Sequence, residues 1–525
     1  MVQHREINVE FPLGGQFREA TYAQKTSPYS TPRAINVRGR GSLERRVRGG
    51  TRPMLTKFID NDFGTNIVGM TKVSYVDDSG DLQTDVIVIA DGVFSVVHAG
   101  AVTTTVCYVL IDGDYVLIDG DYVIFASTIA ATSPIGDTDG FDIIEHGGKV
   151  YIADEYPKKY DPASGLVTTI NTAPQNQPMI LIYRERMVLF GEDHMFYISR
   201  QGDFTDWNFF DKSDDIGKAT AGHIGDRGII NSPIRCGLNY KDKALVFGTE
   251  DDLWLISGET GIGEKKNVSR KVGIIAPRAA CITPEGTVVF LAREGLYTYQ
   301  IGGGEPQRFS ERRIPDELRD LDPTTNDIHM QYDHKLHGVN LFVTPSAGAG
   351  EHWWLDIKNR ALWQDAFGNN NHQPLCSCTY PQSGDSDVLL GCKDGYIREF
   401  SNSASNDDGT AVTSHLLLGP FKIGRNSGKD GQAMKIISDF AQSSSDVTWY
   451  TLVAETAEEV IDNAVTDIEG GTTDNVHATG TFSAGHNRPD YPRSRGGWLA
   501  IWLTSSGKWS YENLTFFQQR LGEIR

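Results

Sequence analysis

Seven stretches between about residues 60 and 405 repeat one motif: an apolar strand, a tight turn and a second apolar strand. The clearest pair is Tyr183-Arg-Glu-Arg-Met-Val-Leu-Phe-Gly191 and Tyr240-Lys-Asp-Lys-Ala-Leu-Val-Phe-Gly248, and each runs on into a further strand, His194–Ser199 and Asp252–Ser257. Val86–Phe94, Val288–Tyr297 and Val388–Ile397 repeat the pattern around Asp-Gly or Glu-Gly, and Lys149–Ala153 and His337–Thr344 read as further central strands. Glycine in such turns supplies the positive φ that short hairpins need. The spacing, roughly 49 residues, is that of four-stranded propeller blades. The repeat therefore predicts an all-β chain: a β-propeller of about seven blade-like units over residues 59–405.

Downstream the character changes. Residues 406–412 close a polar, turn-forming stretch and read as a linker. Over 413–525, Lys435–Ala441, Val447–Val453, Trp498–Leu503 and Tyr511–Phe517 suit the strands of a β-sandwich-like domain. Two short helices are expected, at Thr456–Asn463 and at Pro315–Leu321, the second opening on a proline where its missing N–H costs nothing. Tyr108-Val-Leu-Ile-Asp-Gly-Asp is followed at once by an identical copy. Asp112, Asp114, Asp119 and Asp121 resemble calcium ligands, but the spacing is wrong for an EF-hand and a meander with two Asp-Gly turns is favoured.

Charge divides the chain. Residues 1–58 carry 11 Lys/Arg against 4 Asp/Glu, whereas the whole chain has a net charge of −20, which leaves −27 on the remainder. An acidic body argues against general nucleic-acid binding, which needs cations to displace counterions from phosphate. It is compatible with nucleic acid that passes without sticking. The basic stretch holds Arg33, Arg38, Arg40, Arg45, Arg46, Arg48 and Arg52. These are the candidate interface or DNA-proximal residues. Docking on acidic protein, either the chain's own body or a neighbouring subunit, is favoured over phosphate contact. No run approaches the ~20 apolar residues of a membrane span, the N-terminus lacks the apolar core of a secretion signal, and six cysteines do not make a disulfide scaffold.

Catalytic signatures are missing. There is no His-Glu-x-x-His, no Gly-x-Ser-x-Gly and no Walker loop. Gly258-Glu-Thr-Gly-Ile-Gly263 follows a hairpin strand and opens no helix, so it reads as a loop. Cys376, Cys378, Cys392 and His372 contain the ingredients of a metal site, but without paired zinc spacing they read as core. Ser199-Arg-Gln-Gly-Asp-Phe-Thr-Asp-Trp207 resembles the aspartate turns of sialidase-like propellers. Its expected role is structural, with Asp capping backbone N–H groups and Trp207 packing between blades. No catalytic, cofactor or metal residues are assigned.

Four stretches together resemble the tail hub, or nozzle, proteins of short-tailed bacteriophages, also called tail tubular protein B or packaged-DNA stabilisation proteins. They are Tyr29–Val37 with Arg46-Val-Arg-Gly-Gly-Thr-Arg-Pro53, Ser199–Asn208, Ile234–Gly258, and Pro492–Leu499 leading to Arg520–Arg525. The resemblance implies a non-enzymatic virion protein, made in the host cytoplasm and built into a hexameric ring at the tail. It implies a portal-associated adaptor as neighbour, tail fibre, tailspike or needle proteins as further partners, and double-stranded DNA in transit without tight binding; the chain is shorter than the long tubular members of the class, so extra domains for fibre attachment are not expected. Two other readings compete: a propeller enzyme acting on glycans, and a propeller adaptor that binds protein or glycan.

Overall fold

The computed structural model describes residues 4–18, 30–40, 48–90, 93–98, 101–104, 110–111, 114–115, 117–118, 121–122, 142–154, 156–192, 194–224, 232–259, 263–311, 313–314, 316–382, 385–424 and 431–520. Seven blades follow one another. Blade 1 spans Ile67–Thr104, blade 2 Asp142–Thr169, blade 3 Met179–His223, blade 4 Cys236–Ser269 and blade 5 Ala280–Arg308; each is an antiparallel sheet of four strands in chain order. Blade 6 is Asn326–Asp365, and blade 7 starts at Pro374 and ends at Ser401. The first strands of successive blades lie side by side, and that of blade 7 lies against that of blade 1, so the ring closes.

The repeat read from sequence is the blade itself. Tyr183 and Tyr240 each end a first strand, and Arg186–Phe190 and Ala244–Gly248 are the matching second strands. The turns between them, Arg184-Glu185 and Lys241-Asp242, each have two residues at positive φ, from 48° to 57°. In the first, where Tyr183 pairs with Arg186, that is the twist a two-residue hairpin needs; the second has one more loop residue, Lys243, before Ala244 pairs with Tyr240. The two turns also touch: Arg184 donates its backbone N–H to Asp242 Oδ1 at 2.8 Å. The seams between blades are filled with apolar side chains, and one continuous cluster fills those from blade 4 to blade 6. Val73, Ile87 and Phe94 meet Val150 and Ile152 between blades 1 and 2, and Phe190 and Phe196 meet Phe247 between blades 3 and 4. Strand side chains alternate between faces, so one apolar run serves two seams.

Blade 7 supplies only three strands of its own. Its fourth is Met54–Lys57, from near the N-terminus, paired antiparallel with Ile397–Ser401 (Phe400 opposite Leu55). The propeller therefore begins before residue 59. This corrects the sequence-based boundary, because strand pairing here joins segments about 340 residues apart.

The sandwich consists of two sheets enclosing Leu416, Leu418, Ile436, Trp449, Ile501 and Phe516. Ser414–Lys422, Trp498–Ser505, Val447–Ala454 and Ala478–Phe482 form one sheet; Gly431–Phe440 and Tyr511–Arg520 form the centre of the other. On the outer face of the first lies the helix Ala457–Gly470, longer than expected. Thr456 caps it by accepting the Glu459 N–H, and Gly471 ends it at φ 62°. Leu417, Leu452 and Trp502 pack against its Val460, Ile461 and Ala464, while Leu416 and Leu418 point the other way into the core. The stretch Pro315–Leu321 is not helical: residues 316–320 are turns and bends, and Pro315 lies outside the described residues. The tandem segment at 108–122 forms two short ladders, Leu110–Ile111 with Asp114–Tyr115 and Leu117–Ile118 with Asp121–Tyr122. The possible ligands Asp112 and Asp119 lie outside the described residues, as do the side chains of Asp114 and Asp121.

Candidate functional site: arginine staples and the propeller axis

The described residues between 4 and 57 contribute to both domains. His4–Val9 is an edge strand of the sandwich, paired with Tyr511–Arg520. Ala34–Ile35 sits between Ala361–Asp365 of blade 6, in parallel, and Ser414–Lys422 of the sandwich, antiparallel. Those two residues fuse blade 6 and one sandwich layer into a single nine-stranded sheet.

The arginines singled out from sequence divide into two groups. Arg52 is fully buried and uses all five donors: Nε to Asn36 Oδ1 (2.8 Å), Nη1 to Pro53 O (2.8 Å) and Asp407 Oδ1 (3.2 Å), Nη2 to Ala366 O (2.9 Å) and Asp407 Oδ2 (2.5 Å). Burial works against its charge, but Asp407 and Asp365 override this, so its pKa lies above the ordinary arginine value. Arg38 is buried, pairs with Asp365 and lies over the Trp354 ring at 4.5 Å. Arg33 is buried and pairs with Glu469 at the end of the helix, 3.1 Å away. Burial, then the charge of Arg18, lowers its pKa. Arg48 pairs with Glu512 at the surface, Arg40 is exposed, and Arg45 and Arg46 lie outside the described residues. Arg33, Arg38 and Arg52 are thus joints inside one chain.

Residues 406–412, expected to be a linker, are pinned by the same network. Asp407 is fully buried and also accepts the Leu55 N–H at 2.9 Å. Asp408 accepts from Arg398, which grips Asp394 in bidentate fashion at 2.6 and 2.7 Å. The glycines of Arg48-Gly-Gly-Thr-Arg52 have a physical cause. A Cβ on Gly49 (φ 79°) would lie 2.0 Å from the Phe11 ring, and one on Gly50 2.4 Å from the Trp509 carbonyl oxygen. Thr51 N–H donates to that same carbonyl at 3.0 Å.

The second polar site lies on the propeller axis and was not visible in the sequence. A cavity of about 210 Å³ takes one or more residues from every blade, among them Met70, Asp142, Met179, Leu238, Ala280, Met330 and Cys376. Arg278 reaches across from blade 5 to donate to Val68 O of blade 1 at 3.2 Å. Asp142 accepts the Ile143 N–H at 2.9 Å; burial raises its pKa, against the pull of Arg278. Around Phe342, between blades 6 and 7, sit two buried imidazoles. His329 shares Nδ1 with Asp327 at 3.2 Å, and His352 lies against Phe367. Burial lowers the pKa of both, and that of His352 falls to about 3, helped by the charges of His329, Arg52 and Lys393 and opposed by Gln373.

This sets an acid limb. An imidazole that resists protonation when folded, but accepts a proton near its ordinary value when unfolded, costs stability as pH falls below about 6.5. The loss grows until the folded group itself titrates, near 3 for His352. His352→Phe should therefore flatten the decline of the melting temperature between pH 6.5 and 4 relative to its own value at pH 7.5; an unchanged slope would contradict this.

Cys376 and Cys378 lie in the core between blades 7 and 1, beside Ile67, Met70 and Leu389, where burial raises both thiol pKa values, that of Cys378 to about 12. Among the described residues no three metal-ligating side chains come together. In the Ser199–Trp207 turn, Asp203 caps the Thr205 N–H at 2.9 Å and Trp207 packs between blades 2 and 3. Residues 260–262 of the glycine-rich loop lie outside the described residues.

No family model and no curated protein matches the chain. Similar solved structures include a chain of the mitotic checkpoint complex, at 11% identity over 67% of this chain and 94% of that one, with a TM-score of 0.38. YCF48 bound to D1 peptide is 11% identical over 67% of this chain and 96% of that one, TM-score 0.38. The WD40 repeats of RRP9 are 8% identical over 67% and 99%, TM-score 0.39. The propeller rests on its own strand order, and these likenesses carry nothing about activity or partners.

Proposed function

We propose that the protein is a structural, non-enzymatic virion component: a subunit of a phage tail hub or nozzle ring around the path of the genome. The observation that carries the reading is where the resembling residues sit. Asn36 accepts from Arg52 and from the Ala366 N–H, and Gly49, Gly50, Thr51 and Arg52 hold the propeller to the sandwich. The first of the four stretches that resemble the tail-hub family thus joins the two domains, which suits a ring that bears load.

Among the described residues, Arg278 crosses the propeller axis and the axial cavity is about 210 Å³, too small for a duplex. In this reading the conduit lies between copies, around a body of charge −27 per chain. Carboxylates repel phosphate over a Debye length of ~8 Å and let the polymer slide. The portal-associated adaptor and any fibre, tailspike or needle protein would bind the outer faces of the ring.

The native mass of the purified protein tests the proposal. A closed ring, expected to be hexameric, with little affinity for linear duplex DNA at physiological salt, supports it. A monomer under every condition, or tight and salt-sensitive duplex binding, contradicts it. Phe210, 89% exposed in a loop held by successive side-chain caps from Asp203, Asp206, Asn208, Asp211 and Asp215, favours an adaptor as the second reading. A monomer whose partner is lost in Phe210→Ser would establish that alternative.

A further inference from the structure

We propose that the cavity on the propeller axis binds a small zwitterion of the α-amino-acid type, with Arg278 facing its carboxylate and Asp142 facing its ammonium. The site does not depend on the tail reading. Its volume of about 210 Å³ is that of roughly seven waters at ~30 Å³ each, so a single small molecule would meet every wall. Pro277, Arg278, Gln331 and Ser377 in that wall are half-buried, not sealed.

Opposite charges share the wall. Arg278 donates Nη1 to Val68 O at 3.2 Å, and its charge acts on Asp142, His329 and Cys376, which line the same space from blades 2, 6 and 7. Asp142 takes one backbone N–H on each oxygen, from Ile143 at 2.9 Å and from Ile180 at 3.5 Å. An ionised carboxylate has lone pairs for further donors. Burial outweighs the pull of Arg278 and raises the Asp142 pKa, so a second cation beside this carboxylate would be held there.

His329 adds an unmatched acceptor. It is 2% exposed, and its Nδ1 is bonded at 3.2 Å to the Asp327 carboxylate, which can only accept. Nδ1 therefore carries the hydrogen, and Nε2 keeps a lone pair. Burial lowers the pKa of the ring, which keeps Nε2 unprotonated. Among the described residues Nε2 has no hydrogen-bond partner.

The rest of the wall includes Met70, Met179, Met330 and Leu238, apolar side chains of which three are adaptable thioethers. A cation, a carboxylate and a buried acceptor around such a space complement one anionic end, one ammonium with three donors and a short apolar side chain. A simple carboxylate would leave Asp142 and Nε2 unmatched. A simple amine would be repelled by Arg278, and so would a metal ion, for which no three ligating side chains meet among the described residues.

Calorimetry and melting temperature of the full chain test the site. The probes are L-leucine and its two halves, isocaproate (no ammonium) and isoamylamine (no carboxylate). L-Leucine should bind saturably and raise the melting temperature, and each half should bind at least tenfold more weakly. Asp142→Asn keeps the shape and an acceptor for the Ile143 N–H but removes the charge. It should melt no lower than wild type without ligand and bind L-leucine at least tenfold more weakly. No saturable response of wild type to L-leucine, an equal response to either half, or unchanged L-leucine binding in Asp142→Asn would overturn the site.

Discussion

Arg52→Ala should destabilise the protein by about 3–5 kcal/mol, because it leaves a buried carboxylate without its cation. Asp407 is fully buried and would keep only its bonds from the Leu55 and Gly368 N–H groups. Three further acceptors, Asn36 Oδ1, Pro53 O and Ala366 O, would each lose a donor. Against a net stability of ~5–15 kcal/mol for a typical domain, that is a large fraction. The melting temperature should fall on the order of 10 °C. Two further variants separate charge from geometry. Arg52→Lys keeps the charge but cannot reach five acceptors, so it should lie between wild type and alanine. Arg52→Ala with Asp407→Ala should recover part of the loss, since the unpaired charge is gone. A single alanine variant melting within a degree or two of wild type would mean that the network is a spectator.

The seven central strands were legible because each is a local hairpin, and an apolar run, a turn and another apolar run mark it within a dozen residues. Tyr183–Gly191 and Tyr240–Gly248 announced themselves in this way. The closing strand Met54–Lys57 and the two-residue insertion Ala34–Ile35 left no such mark, since their partners lie hundreds of residues away and pairing across that distance has no period. The arginines were legible as a group but not one by one. A faint signal existed: Arg52 stands in Thr-Arg-Pro-Met-Leu, an apolar setting, whereas Arg45 and Arg46 stand among charges. The axial site was beyond reach. Asp142, Arg278 and His329 come from three blades and meet only because the ring closes.

Deleting residues 1–58 should have the larger effect: the chain should fail to fold. Three sheets lose strands at once. Ile397–Ser401 becomes a bare edge, a gap opens between Ala361–Asp365 and Ser414–Lys422 in the middle of the nine-stranded sheet, and Tyr511–Arg520 loses its neighbour. Unpaired edges invite association with other chains, and the apolar surface that had covered Phe11, Val37, Met54 and Leu55 is bared at ~25 cal/mol per Å². The expected product is insoluble, or soluble without a cooperative melt. A graded series identifies the cause. Removing residues 1–9 takes away only an edge strand, so that chain should remain folded with a lowered melting temperature. Removing residues 1–40 adds the loss of Arg33, Ala34, Asn36 and Arg38 and should uncouple the sandwich from blade 6, while Met54–Lys57 still closes the propeller. Two separate melts, or protease release of the sandwich, would report that state. Cooperative folding of the chain lacking residues 1–58 would show that the N-terminal segment decorates the fold and does not join its two halves.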